Sequence, residues 1–96
     1  MLIIAGHLEV DAGERDRFVA SHEDLLRRGR TAPGCLDLAI TADSLDPTRV
    51  NTFERWESRE QLGAWRAVAD APETGISVRS DHVMLYAVGD VRSPFS

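Results

Sequence analysis

Ninety-six residues, 43% hydrophobic and 28% charged, sit at the lower end of normal domain size, so one domain is expected and no second. A formal net charge of −5 excludes a general nucleic-acid or anionic-membrane surface, since neither phosphates nor lipid headgroups attract a negative protein that lacks a basic stripe. All eleven basic residues are arginine, which excludes pyridoxal-phosphate enzymes and lysine-dependent aldolases, because both need an amine that can lose its proton.

Leu2 to Val10 are apolar and rich in branched side chains and end at Asp11-Ala12-Gly13, which predicts a first strand. This N-terminus is not expected to be a signal peptide, since it lacks a basic leader and meets Glu9 too soon, no apolar run approaches the roughly 20 residues of a membrane span, and the lone Cys35 leads to the expectation of a reducing cytoplasm. From about Glu14 the period changes: Phe18, His22, Leu25, Leu26 and Gly29 fall at helical spacing, and one amphipathic helix is expected to about Thr31. Arg27, Arg28 and Arg30 cluster at its end, where positive charge offsets the negative end of the helix dipole. Pro33-Gly34 stops it. Cys35 to Ala42 alternates as a second strand, Asp46-Pro47-Thr48 turns the chain, and Arg49 to Glu57 returns as a third strand in an antiparallel hairpin. Ser58-Arg59-Glu60-Gln61 reads as a capping box opening a second helix, with Leu62, Trp65, Val68 and Ala69 on its apolar side and Pro72 at its close. Residues 73–79 are ambiguous between loop and short helix, and Asp81 to Gly89 make a last strand.

The order β-α-β-β-α-β predicts an α+β, ferredoxin-like domain over residues 1–91, with a four-stranded antiparallel sheet carrying both helices on one face and a tail at 92–96. Leu2, Ile4, Leu8 and Val10 share one face of the first strand and Ile3, Ala5 and His7 the other, while Val83, Leu85 and Ala87 oppose His82, Met84, Tyr86 and Val88 in the last. Both faces are apolar enough to be buried, so the face without helices is expected to pack on a second copy as a homodimer.

Ala5-Gly6-His7, Ala32-Pro33-Gly34-Cys35, and above all Phe53-Glu54-Arg55-Trp56-Glu57-Ser58 running into Glu60-Gln61-Leu62 resemble the antibiotic biosynthesis monooxygenase family. The likeness runs from Leu2 to about Val88. It implies a dimeric α+β barrel with a pocket between helices and sheet, in which a small phenolic, quinol or polyketide-type aromatic is oxidised by molecular oxygen without flavin, haem or metal. Trp56 matches the tryptophan that the family keeps at the end of strand three. Thr52 holds the place of an asparagine found in polyketide-oxidising members, and Trp65 that of a frequent histidine. Haem-degrading relatives have an asparagine where this chain has His7 and need a histidine on the later helix, and residues 67–80 contain none.

A cofactor-free oxygenase needs a dry cavity, a group that takes a proton from the substrate, and a means of stabilising the anion. His7 is expected to handle the proton, as histidine commonly does in catalysis, or else to be a buried structural histidine. His22 sits among Phe18, Leu25 and Leu26 and faces either pocket or core. Trp56 and Trp65 are flat surfaces able to stack on a planar ligand or to fill the core. Glu54 shares a strand face with Thr52 and Trp56, which makes it a rival base, and Arg79 is a candidate to hold a phenolate or carboxylate. His7, His22, His82 and the lone Cys35 lack the spacing of a metal motif, and Cys35 has no partner for an intrachain disulfide, so neither metal nor cofactor is expected. An oxygen-independent isomerase or decarboxylase on the same barrel, and a non-catalytic ligand-binding dimer module, are the alternative readings.

Overall fold

A run of apolar residues rich in branched side chains forms β1, Leu2–Glu9, and the rest of the molecule is built around it. The computed structural model describes residues 1–95, in the order β1, α1 (Arg15–Ala20), α2 (Glu23–Arg30), β2 (Cys35–Ala42), β3 (Arg49–Trp56), α3 (Arg59–Val68), β4 (Ser80–Asp81) and β5 (Met84–Ala87). β1 lies inside one antiparallel sheet of order β2-β3-β1-β4, with β5 also paired to β1. Leu2 stands opposite Trp56 and Glu9 opposite Arg49, and β2 and β3 form the predicted hairpin, bulged between Cys35 and Asp37. This is the ferredoxin-like α+β arrangement. No helix among the described residues is long and apolar enough to cross a membrane.

The long first helix is two helices. At Ser21 the hydroxyl donates to the Arg17 carbonyl at 2.6 Å, and the His22 ring nitrogen Nδ1 donates to the Phe18 carbonyl at 2.7 Å, so side chains take up carbonyls at the end of α1. The His22 N–H bonds one residue short, to Val19 at 3.1 Å, which tightens the turn and ends the helix. The break lets the segments serve different cores. Phe18 of α1 packs with Val10 and Val50, whereas Leu25 of α2 packs on the cluster of Leu2, Ile4, Trp56, Leu62 and Trp65.

The last strand is also interrupted, at His82 and Val83, yet its register is unbroken: Leu8 pairs Asp81 on one side and Ala5 pairs Met84 on the other. The cause is Gly6, whose φ of +153° lies outside the range of ordinary residues and which lets the His82 carbonyl approach so closely that a Cβ would overlap it. The Val83 N–H then donates to the Asp81 side-chain oxygen Oδ1 at 2.9 Å instead of to the ladder. Residues 69–79 form no helix and are tied down individually, by Arg17 donating to the Thr74 carbonyl at 3.0 Å, by Ile76 packing on the Phe18 cluster, and by the Arg79 N–H donating to the Glu9 carbonyl at 2.7 Å.

α3 starts where the capping pattern places it. Ser58 is extended, its hydroxyl oxygen accepts from the Gln61 N–H at 3.2 Å, and the hydroxyl donates to the Gln61 side-chain oxygen at 3.0 Å. At the β2–β3 turn Asp43 accepts from the backbone of Asp46 and Leu45 and from the Asn51 amide, with Arg49 beyond. Those bonds favour the carboxylate and hold its pKa at about 2, led by the bond from Asp46. Asp43 therefore supports the turn above the ordinary carboxylate range, and its support is lost as pH falls through about 2. An NMR titration should show the Leu45 and Asp46 amides and the Asn51 side chain moving together with a midpoint near 2. A midpoint near the unperturbed 3.8 would mean that these bonds are not held in solution.

The helices cover the face carrying Leu2, Ile4, Val10, Leu38, Val50 and Trp56. The other face presents Ile3, Ala5, His7, Phe53, Met84 and Tyr86, with Met84 62% and Tyr86 53% exposed.

Candidate functional site

α2, α3 and the covered face of the sheet diverge around a cleft of about 340 Å³, lined by Ile4, Leu25, Leu38, Ile40 and Val83 with Thr52, Glu54, Trp65, Arg66 and Asp81 among them. Its volume is at the small end of ordinary ligand pockets. The alternation of β3 builds its polar floor, since Thr52, Glu54 and Trp56 project to the same side two residues apart. Opposite them on β2, Ile40 pairs Thr52 and Leu38 pairs Glu54, which supplies the apolar wall.

Trp56 is fully buried beneath this floor, and its indole Nε1 donates to Glu54 Oε1 at 3.1 Å. That bond anchors one oxygen of the carboxylate and leaves the other without a protein donor among the described residues. Trp65 stacks on Trp56 with ring centroids 6.4 Å apart and planes 23° from parallel, and its own outer side carries the Arg28 guanidinium 5.7 Å from the ring centroid. α2 comes this close because Gly29 has no Cβ to collide with Leu38 and Trp65. The Thr52 hydroxyl is buried with no hydrogen-bond partner among the described residues. Cys35 packs on the same cluster, and burial, followed by the negative charges of Glu54 and Asp37, pushes its thiol pKa up. It therefore stays protonated and is a poor nucleophile.

Of the residues singled out from sequence, Thr52, Glu54 and Trp65 meet in the cleft and Trp56 seals it from below. The other three lie elsewhere. His7 has the opposite strand parity, so the thickness of the sheet separates it from the cleft, and its ring stacks on His82 at 4.6 Å. His22 is used at the α1–α2 break, its ring against Phe18. Arg79 is 63% exposed and pairs with Asp11 at 2.5 Å.

Arg66 and Asp81 were not anticipated from sequence, although Arg66 follows Trp65 and sits one turn beyond Leu62, at the edge of the apolar side of α3. Asp81 carried no such signal, because only the pairing of β4 with Leu8 of β1 brings it to the cleft.

Solved structures share the fold across nearly the whole chain. A protein of Deinococcus radiodurans, provisionally named an antibiotic biosynthesis monooxygenase, superposes with a TM-score of 0.82 at 17% identity over 97% of each chain. One of Chloroflexus aurantiacus, also provisionally so named, gives 0.71 at 25% identity over 96% of each. A conserved protein of unknown function from Bacteroides thetaiotaomicron gives 0.71 at 14% identity, over 88% of this chain and 94% of that one. An uncharacterized Synechocystis protein is 25% identical over 61 residues, 64% of this chain, and the match spans 42% of that protein's length. The sequence profile of the antibiotic biosynthesis monooxygenases matches residues 1–71, which takes in β1, the helices, and the whole β2–β3 hairpin that carries Thr52, Glu54 and Trp56. On that match, over well more than half of its length, the chain belongs to the antibiotic biosynthesis monooxygenase family.

Proposed function

We propose that the protein is a cofactor-independent monooxygenase that binds a small phenolic, quinol or polyketide-type aromatic in the cleft between α3 and the sheet. The observation that carries this reading is Glu54, a carboxylate with one oxygen held by the buried Trp56 indole, lining a mainly apolar cleft beside the Trp65 ring. Such a group is placed to take a proton from a phenol or activated methylene whose ring lies along Trp65. The proton step falls to Glu54 and not to His7, because His7 is on the far side of the sheet. Arg66 at the rim stabilises the substrate anion, and the Thr52 hydroxyl offers an unused hydrogen bond to a ligand oxygen. The anion then reduces oxygen directly: a methylene and O2 become a carbonyl and water with no outside electron donor.

The working unit is a homodimer joined through the face of Ile3, Phe53, Met84 and Tyr86, which the chain's own helices do not cover and on which Met84 and Tyr86 are exposed. Chelator-treated protein given a panel of anthrones and hydroquinones should consume oxygen above the autoxidation rate, and Glu54→Gln should lower kcat by about a hundredfold or more. The same sample should scatter light as twice 10.6 kDa. Substrate loss without oxygen uptake would favour an isomerase or decarboxylase, and saturable binding without turnover a ligand-binding module. A Glu54→Gln enzyme as fast as the parent would remove Glu54 from the proton step.

A further inference from the structure

His7, Glu9 and His82 come from opposite ends of the chain, yet they offer two imidazoles and a carboxylate whose donor atoms all lie within 4.8 Å of one another. Strand pairing makes this cluster. Glu9 follows His7 by two residues and so shares its face, and His82 is the cross-strand neighbour of His7, its N–H donating to the His7 carbonyl at 2.9 Å. The two rings lie 4.6 Å apart and within 22° of parallel.

The cations that would ordinarily neutralise Glu9 are engaged elsewhere. Arg79 pairs with Asp11, and Arg49, directly across from Glu9, donates to Asn51 at 2.7 Å and faces Asp43. Among the described residues no side-chain hydrogen bond or ion pair occupies His7, Glu9 or His82, so three strong donors lie together without protein partners.

We propose that His7, Glu9 and His82 bind one divalent transition-metal ion per chain, of the kind that zinc typifies, on the sheet face opposite the cleft, at the Glu9 end of β1 and beyond the Ile3, Phe53, Met84 and Tyr86 patch through which the dimer is joined. The donor set decides the class. Two imidazoles and one carboxylate suit zinc, cobalt, nickel or copper, whereas magnesium and calcium take oxygen ligands almost exclusively. Bonds of about 2.0–2.2 Å require donors about 3.3 Å apart, so the cluster must close by up to about 1.5 Å and the stacked rings must turn to aim a nitrogen each at the ion, both within reach of side-chain rotation. His82 is exposed and swings in, while His7 and Glu9 are half-buried on the central strand and supply a fixed pair. Three protein ligands leave at least one position open in a tetrahedral ion, and binding needs both imidazoles neutral, so it weakens in acid.

The test is calorimetric titration of untagged, chelator-treated protein with zinc chloride, repeated with cobalt(II) to read its visible d–d absorption. One ion per chain is expected, with the intense visible band of four-coordinate cobalt. His82→Gln, His7→Gln and Glu9→Gln should each weaken binding by at least about tenfold and bleach the band. His82→Gln alters an exposed side chain, and an unchanged melting temperature for this variant keeps its result separate from misfolding. No saturable binding up to 100-fold molar excess, a stoichiometry of one ion per two chains, or zinc binding that His82→Gln and His7→Gln leave unchanged would each overturn the assignment. Oxygen uptake by the chelated protein tests the cleft alone, so the two proposals fail separately.

Discussion

Gly6→Ala is expected to lower the free energy of unfolding by about 2–4 kcal/mol, a large effect for a single methyl group. Two costs combine. At φ +153° the backbone occupies a region that is essentially reserved for glycine, and the added Cβ would overlap the His82 carbonyl and lie 2.8 Å from the Val83 Cα. Both obstacles are backbone of the paired strand, which cannot rotate aside as a side chain would. Relief requires β1 and the last strand to separate, in the middle of a pairing that otherwise runs from Leu2 opposite Ala87 to Glu9 opposite Ser80. In a domain whose total stability is of order 5–15 kcal/mol, such a loss lowers the melting temperature by roughly 10–25 °C. Urea denaturation measures it. Gly63→Ala is the control, because Gly63 lies inside α3 with open space around its Cβ position, and there the same change should stabilise by about 0.5–1 kcal/mol. If the two variants behave alike, the close approach of His82 to β1 is absent in solution.

Trp56→Ala is expected to cost about 3–5 kcal/mol, enough to bring the protein near unfolding, while Trp56→Phe should fold and be impaired in the cleft. Trp56 is fully buried at the junction of β1, β3 and α3, packed with Leu2, Ile4, Leu62 and Trp65, so its removal opens a cavity in the centre of the main core. Phenylalanine restores most of the volume but has no N–H for Glu54, whose carboxylate then loses the bond that orients it. The expected signature is a fall of about 1–2 kcal/mol in stability together with a loss of oxygen uptake disproportionate to it. The chain has two tryptophans, so Trp56→Phe leaves Trp65 as the sole indole, and its fluorescence reports directly on ligands entering the cleft. A Trp56→Phe protein with undiminished uptake would show that the Trp56–Glu54 bond is dispensable for turnover.

Much of the fold was legible because it rests on local periodicity. A branched apolar run marked β1, alternation marked β2, and the turn at Asp46-Pro47-Thr48 marked β3, each within about a residue of its observed limits, and Ser58 with Gln61 marked the start of α3. The two breaks were not legible. Ser21 and His22 keep helical spacing, and their side-chain bonds to Arg17 and Phe18 show only in three dimensions. Nothing around His82 announces that a glycine on another strand draws its carbonyl inward. In the candidate site, the shared face of Thr52, Glu54 and Trp56 followed from strand parity, whereas the positions of His7, His22 and Arg79 depended on matters that parity leaves open.

By itself the sequence determined the element order apart from the two breaks, the antiparallel hairpin, the absence of lysine chemistry, and which residues of each strand share a side, because periodicity and composition belong to the chain alone. Tertiary structure decided which side the helices cover. Ile4 and Ile3 are equally apolar, and only the packing of Leu25, Leu62 and Trp65 selects the face of Ile4 for the core and with it places Glu54 in the cleft and His7 outside it. It also decided that His7, Glu9 and His82 meet, since strand pairing between distant segments is set by the free energy of the whole sheet and leaves no trace in the spacing of the residues it joins.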